Sequence, residues 1–479
     1  MRILFVVPTL DYADQISVAY LSAVAKKLGH ETNFLNLDNK DDVVKNCRCG
    51  EKHHYACTIY DMKPDVVAYT TTIQHFEEIC YFNARMHHVW EHDFISILGG
   101  AHATFAPETF KNSGMDYYCV GEGELAFEIF LKGVEAGLGV TKNNVIISPN
   151  IICKNGYNYK NVKKYDLIQD LDLLPFSDRD LTLANSYLKD TPKKTFYTSR
   201  GCPYSCSYCA NNHYNKMYRG QKIVRRFSVD RIIEEIQYVA CNYRCDFIKF
   251  GDDLFALKAD DWLKEFSWKY KEYVNIPFNC YLRIDSVNME LVQLLKLAGC
   301  HSVHLSIDST SERVREKILK RKSKLDNSEM VERLKLIHSY GIKTWVNYML
   351  AAPESFYADD ARTIAMSREG KVSYTSYSMT DPIKGTDLYQ YCLEKKYIDK
   401  SYSGDMSNCS TRSVLYCFDN DEKHFRYNIY LIGAVLVKLP KWLSKLSAFI
   451  LWKTKPNRFY EWIHKKYYEY NIEKVIFKL

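Results

Sequence analysis

Two stretches of this chain alternate short apolar runs with amphipathic segments, and that rhythm leaves few folds open. In the first, 2–7, 31–35, 65–70, 94–98 and 116–120 read as strands, while 16–28, 76–90, 105–112 and 124–132 read as helices. Such alternation predicts a doubly wound parallel α/β domain, which takes its ligand beyond the carboxyl ends of the strands. In the second, strands at 195–199, 247–250, 278–283, 302–306, 343–348 and 373–378 are separated by helices near 229–240, 258–273, 288–298, 326–339 and 357–368. Six strand–helix units predict a partial parallel barrel, an open relative of the eight-stranded one, with its chemistry also at the carboxyl ends. At 479 residues the chain is too long for one core. The domains expected are 1–140, a connector at 141–190, the barrel at 191–395 and a mainly helical region at 396–479.

Composition excludes several classes. With 47% apolar and 26% charged residues the chain is not a disordered one. Its net charge of +7 reads as Lys and Arg spread among Asp and Glu, so no nucleic-acid partner is expected. Sixteen cysteines in this length are too sparse for a disulfide-stapled scaffold. The strand-like opening Arg2–Val7 follows no basic leader, and the expected compartment is reducing and cytoplasmic. No apolar run reaches the roughly 18 residues of a membrane span.

The chemistry concentrates in Thr198–Cys209, where Cys202, Cys206 and Cys209 stand at i, i+4 and i+7 in a turn-rich loop. Thiolates are the soft ligands an iron–sulfur cluster takes. A [4Fe–4S] cluster needs four ligands, so three cysteines leave one iron open to a small molecule. Structural zinc is the competing reading, with His213 as the fourth ligand. Cys47, Cys49, His53, His54 and Cys57 are read as a Cys- and His-bearing helix and loop in preference to an auxiliary metal site. Cys241, Cys245, Cys409 and Cys417 are read as buried thiols.

The cysteine spacing, with barrel signals downstream, resembles the cluster motif of radical S-adenosylmethionine (radical SAM) enzymes. The resemblance implies that Cys202, Cys206 and Cys209 hold a [4Fe–4S] cluster whose open iron is chelated by SAM. An external one-electron donor such as flavodoxin or ferredoxin then reduces the cluster, and SAM is cleaved to methionine and a 5′-deoxyadenosyl radical. Tyr208 matches the aromatic position that lies against adenine. Gly251–Phe255 resembles the segment that binds the amino group of SAM, with Asp252 and Asp253 as candidates, although a turn or helix cap also suits them. Arg283, ending the third barrel strand, suits the carboxylate of SAM or of an acidic substrate, or else a structural pair with Asp285. Ser306–Ser311 resembles the family's ribose-holding segment, with Asp308 where Glu is usual, so a shorter side chain has farther to reach.

In the first domain Thr70, Thr71 and Thr72 follow the third strand, Gly99, Gly100 and His102 the fourth, and Gly121, Glu122 and Gly123 the fifth. Glycine lets backbone approach a ligand closely, and hydroxyls meet its polar groups. Val18–His30, Gly99–Thr104 and Val120–Glu124 resemble the flavodoxin-like cobalamin-binding domain that precedes many radical SAM barrels. The loop Thr9–Ile16 holds no His for a lower cobalt ligand, as in the branch that binds cobalamin base-off.

The two resemblances imply a member of the class B radical SAM methyltransferase-like family, with [4Fe–4S], SAM and cobalamin as cofactors. Methylcobalamin would deliver a methyl group to an unactivated carbon of a small or lipid-like substrate. Radical cyclisation, rearrangement or carbon–carbon coupling of a lipid or pigment precursor is the alternative. A cobalamin-sensing or scaffold protein with a structural cluster is the non-enzymatic one. Apolar stretches broken by Lys over 427–452 read either as interfacial helices for peripheral membrane contact or as a helical cap on the barrel.

Overall fold

The computed structural model describes residues 1–10, 14–38, 62–89, 93–139, 145–153 and 162–479, apart from the side chains of 444, 445 and 448. Cys47, Cys49, His53, His54 and Cys57 therefore lie outside the described residues. The chain forms two compact units, Met1–Thr191 with Gly220–Lys222 and Pro192–Arg219 with Ile223–Leu479.

In the first unit β1 (Arg2–Val7), β2 (Glu31–Asn36), β3 (Val66–Thr70), β4 (Ile95–Gly99), β5 (Tyr117–Cys119) and β6 (Ile151–Cys153) form one sheet in the order β2-β1-β3-β4-β5-β6. The first five pair in parallel and β6 adds an antiparallel edge. Strands buried on both faces by crossover helices read as continuous apolar runs, and Ile3–Val7 is such a run. The helices that follow β1, β3, β4 and β5 are α1 (Ile16–Lys27), α2 (Phe76–Val89), α3 (Gly100–Phe105) and α4 (Glu124–Glu135). This is the flavodoxin-like order, whose crevice opens beyond β1 and β3. A helix expected over 105–112 is instead broken. Ala106 leaves helical backbone at φ −134° and ψ 52° because it precedes Pro107, and helix resumes at Phe110–Ser113. The three residues of β6 are too few to show a period, and no strand was expected there.

In the second unit β7 (Lys193–Phe196), β10 (Phe247–Phe250), β11 (Phe278–Leu282), β12 (Cys300–Asp308), β13 (Lys343–Leu350) and β14 (Tyr374–Met379) form an open, wholly parallel sheet in chain order. A two-residue ribbon, β8 (Ser199–Arg200) with β9 (Arg225–Arg226), follows β7. The helices α5 (Ala210–Met217), α6 (Val229–Asn242), α7 (Asp261–Tyr273), α8 (Met289–Ala298), α9 (Asn327–Ser339) and α10 (Tyr357–Glu369) fall between the strands. Their starts are written locally. Ser228, Asp260, Asn288 and Asp326 each accept a backbone N–H from the first turn, and Asp326 completes a reciprocal pair with Glu329.

The tail contributes α11 (Asp387–Glu394), α12 (Asn420–Lys438), α13 (Ser444–Lys453) and α14 (Arg458–Tyr470). Helix α12 lies on α10 and β14, with Arg426 buried in an ion pair to Asp360 at 2.7 Å. Ile429, Leu431, Ile432, Leu436 and Val437 are buried, so the first part of the 427–452 stretch is core and not an interfacial surface. The final residues fill the amino-terminal end of the barrel sheet. Ile476 and Phe477 join Phe247 and Tyr374 in one cluster, and the Ile476 carbonyl accepts from Ser302 Oγ at 2.7 Å. Among the described residues no helix is long and apolar enough to cross a membrane.

Candidate active site

Beyond the carboxyl ends of the barrel strands lies a cavity of about 450 Å³ lined by Cys202, Cys206 and Cys209. The loop carrying them is held from several sides. Asn215 on α5 donates to the carbonyls of Cys202 at 2.9 Å and Tyr204 at 3.2 Å. Ser207 donates from its backbone to Leu319 at 2.9 Å and from its hydroxyl to Ile318 at 2.7 Å, and it accepts from the Leu388 N–H at 2.8 Å. Gly201 opens the loop at φ +87°, and a Cβ there would fall on the Ile223 carbonyl oxygen.

Among the described residues no three His, Cys, Asp or Glu side chains converge closely enough to hold a single metal ion. The thiols instead sit around one cavity, the layout for a cluster in which each binds a different iron. His213, the fourth ligand of the zinc reading, is not among the cavity's lining residues. Burial pushes the Cys202 thiol up to about 11 and raises Cys209, so neither is a free thiolate at neutral pH. The donor set fits an iron–sulfur cluster.

Tyr208, Asp253 and Arg283 line the same cavity. Asp253 has a carboxyl raised by burial, opposed by a hydrogen bond from Asn211. Asp252 turns the other way. Its Oδ1 accepts from the Thr198 N–H at 2.9 Å, Thr198 Oγ1 at 3.0 Å and Ser199 Oγ at 2.5 Å, tying β10 to the start of the cysteine loop. Adjacent residues in a turn point apart, so one carboxylate faces the cavity and the other serves the scaffold. Arg283 is paired with Asp285 at 2.8 Å and lies 3.9 Å from the Tyr204 ring, which orients its guanidinium at the cavity wall.

Asp308 is the residue whose surroundings depart most from expectation. It ends β12 beyond a register shift, at φ 68°, and is buried. Its carboxylate accepts from Tyr208 at 2.6 Å and from Ser306, and pairs with Arg321 at 3.0 Å. The short acid expected to reach for ribose hydroxyls is thus engaged inside the protein and anchors Tyr208. Burial works against the Arg321 charge, but Asp308 and Tyr208 more than offset it and hold its pKa above the usual guanidinium value.

Sequence reasoning passed over Arg321, Asn211 and His304, all of which line this cavity. His304 sits on β12 with its ring 3.9 Å from Trp345 and 4.6 Å from Tyr281. Burial, with help from Lys249, lowers its pKa to about 3, so the ring is neutral. A polar residue between Val303 and Leu305, inside the expected strand 302–306, was the signal available. Of the other cysteines, Cys241 is exposed on the outer side of α6, and Cys245, Cys409 and Cys417 are half-buried, so none is the buried thiol expected.

In the first unit the loops after β3, β4 and β5 are laced together. The His102 N–H donates to the Thr71 carbonyl at 3.1 Å, Thr104 Oγ1 donates to Gly100 at 2.8 Å, and the Gly121 N–H donates to Thr104 Oγ1 at 3.0 Å. Gly100 has φ +87°, and a Cβ there would stand 2.5 Å from Thr70 Oγ1. The His102 ring is buried, stacked 3.8 Å from Phe76 and bonded to Thr109 at 2.9 Å, which makes it a packing residue here. What remains at the carboxyl ends is glycine backbone at Gly99, Gly100, Gly121 and Gly123, with Thr72 and Glu122 beside it. Close-approach backbone with hydroxyls and one carboxylate fits a large polar cofactor such as cobalamin. Asn150, not expected from the sequence, donates to the Val120 carbonyl at 2.6 Å and braces the loop after β5.

Residues 196–356 match the radical SAM superfamily and residues 3–131 match the B12 binding domain. An uncharacterised methyltransferase of Pyrococcus horikoshii is 25% identical over 82% of this chain and 83% of its own length. Cytidylyl-2-hydroxyethylphosphonate methyltransferase of Streptomyces wedmorensis is 21% identical over 81% and 79%. Anaerobic magnesium-protoporphyrin IX monomethyl ester cyclase of Rubrivivax gelatinosus is 22% identical over 79% and 66%. The solved structure of the radical SAM methyltransferase TsrM from Kitasatospora setae, with cobalamin and a [4Fe–4S] cluster, superposes with a TM-score of 0.67 at 14% identity, covering 98% of this chain and 99% of that one. The cobalamin-dependent radical SAM enzyme OxsB, with aqua-cobalamin and SAM, gives 0.67 at 15% identity over 98% and 73%. These likenesses share the fold, and the two matched domains set the cofactors as a [4Fe–4S] cluster, SAM and cobalamin. The chain is an enzyme in which a B12 binding domain is fused ahead of a radical SAM domain.

Proposed function

We propose that this enzyme is a cobalamin-dependent methyltransferase acting on an unactivated carbon of a small or lipid-like substrate. The observation that carries the reading is the pairing of both cofactor domains in one chain that aligns along most of its length with the methyltransferase of Pyrococcus horikoshii. When bound, the cluster with SAM supplies a 5′-deoxyadenosyl radical and cobalamin supplies a methyl group. The chain's own residues bind and orient. Cys202, Cys206 and Cys209 are the proposed cluster ligands, Asp253 the acceptor for the ammonium of SAM, and Arg283 the partner of its carboxylate. Tyr208, fixed by Asp308 and Arg321, offers its ring to adenine. The backbone of Gly99, Gly100 and Gly121–Gly123, with Thr70–Thr72, is the proposed cradle for cobalamin. The electron comes from an external donor such as flavodoxin or ferredoxin.

A second reading has support of its own. The Rubrivivax gelatinosus cyclase aligns with 79% of this chain, and ring closure uses the same radical without methyl transfer. Incubation of the anaerobically reconstituted enzyme with SAM carrying a deuterated methyl group separates the two. Methylation places the label in the product, whereas cyclisation yields an unlabelled product. Replacing Cys202, Cys206 or Cys209 with Ala is expected to abolish 5′-deoxyadenosine formation, and wild-type formation by any of the three removes that residue from the ligand set.

A further inference from the structure

Helices α13 and α14 both lie on α12, and both turn aromatic side chains outward. Over 441–453, Trp442, Leu446 and Phe449 are exposed at helical spacing, while Ser447 and Leu451 are buried. On α14, Phe459 and Trp462 are exposed with ring centroids 6.1 Å apart. Trp442 is 79% exposed, Phe449 60%, Phe459 63% and Trp462 58%. This inverts the order of an ordinary surface helix, which hides its large apolar residues and shows its serines. Adjacent exposed rings of this size mark an interaction surface.

The charge of the same stretch says what the surface meets. Residues 441–470 hold seven Lys and Arg against two Glu, a net +5 beside the +7 of the whole chain. The excess is gathered on α13, α14 and the short segments that lead into them. We propose that α13 and α14 dock the protein, without crossing, on an anionic membrane surface. The exposed rings enter the boundary between headgroups and acyl chains, and Lys441, Lys453, Lys455, Arg458, Lys465 and Lys466 meet the lipid phosphates. A second copy of the chain is disfavoured as occupant, because it would bring two strongly positive faces together. A bilayer takes rings projecting from helix ridges without a complementary pocket, and tryptophan at such an edge is at home in the interface. This docking is independent of whether the enzyme methylates or cyclises.

The test uses the full-length holoenzyme, sedimented anaerobically with vesicles of phosphatidylcholine alone and of phosphatidylcholine with phosphatidylglycerol. Binding is expected only with the anionic vesicles, accompanied by a blue shift of tryptophan emission and weakened by salt. The double variants W442S/F449S and K453E/K455E are each expected to bind about tenfold more weakly. Their circular dichroism, cluster absorbance and 5′-deoxyadenosine formation stay at wild-type values, since none of these residues lines the cavity. Equal binding to both vesicle types, or variants that bind as the wild type does, overturns the proposal. So does a dimer, or a complex with an acidic flavodoxin, that the same variants abolish while vesicle binding is absent.

Discussion

At the scale of single residues, the site depends on positions where one atom more or less has a calculable effect. Gly201 tolerates no Cβ, because the obstruction is the Ile223 carbonyl, a backbone atom that cannot rotate away. Gly201→Ala is expected to displace the cysteine loop and lower iron content per chain. A variant with wild-type iron and wild-type absorbance sinks that account. His304 makes a different kind of prediction. Its folded pKa, about 3, lies below the ordinary 6.5, so the unfolded chain takes up a proton that the folded chain refuses. The stability this contributes is complete above pH 6.5 and is lost as pH falls from there toward 3, at about 1.4 kcal/mol per unit. The stability difference between wild type and His304→Phe, from urea unfolding at pH 7 and pH 5, is expected to shift against the wild type at the lower pH. Parallel curves mean that His304 is protonated in the fold.

At the scale of elements, the barrel sheet is closed at one end by its own carboxyl terminus. The Val475 and Ile476 carbonyls are bonded to His301 and Ser302, and Phe477 packs with Phe247, Trp345 and Tyr374. Trp345 also stacks on His304, so one aromatic layer separates this plug from the cavity. Phe477→Ala removes a buried ring and is expected to destabilise the barrel unit by about 3–5 kcal/mol. Thermal unfolding checks it, and a change below about 1 kcal/mol would mean that the cluster repacks without loss. The element-scale surprise in the first unit, a helix interrupted at Pro107, follows from the restriction that proline places on the residue before it.

At the scale of the whole molecule, each unit has its own sheet and its own buried core. Damage to one cofactor site is therefore expected to spare the other. Gly100→Val should lower the cobalamin that co-purifies while leaving cluster absorbance unchanged, since the Cβ at that position strikes Thr70 within the first unit. Parallel loss of both cofactors contradicts this. The net positive charge is likewise uneven at this scale, with a net +5 beside the whole chain's +7 within residues 441–470 of the tail.

What could be read without coordinates were the features with a local cause. Strand and helix positions follow from a side-chain period of two or of nearly four residues, helix starts from a capping side chain three residues ahead, and the cluster motif from cysteines within one loop. All six barrel strands and the five principal strands of the first domain were legible in this way. Tertiary structure alone decided which of Asp252 and Asp253 faces the cavity. It also decided that Asp308 spends its carboxylate on Tyr208, 100 residues away in sequence, and that residues 475–477 close the barrel against strands 174 residues earlier. Hydrogen bonds and ring contacts between such distant segments depend on where the folded backbone brings them, and no periodicity along the chain carries that distance.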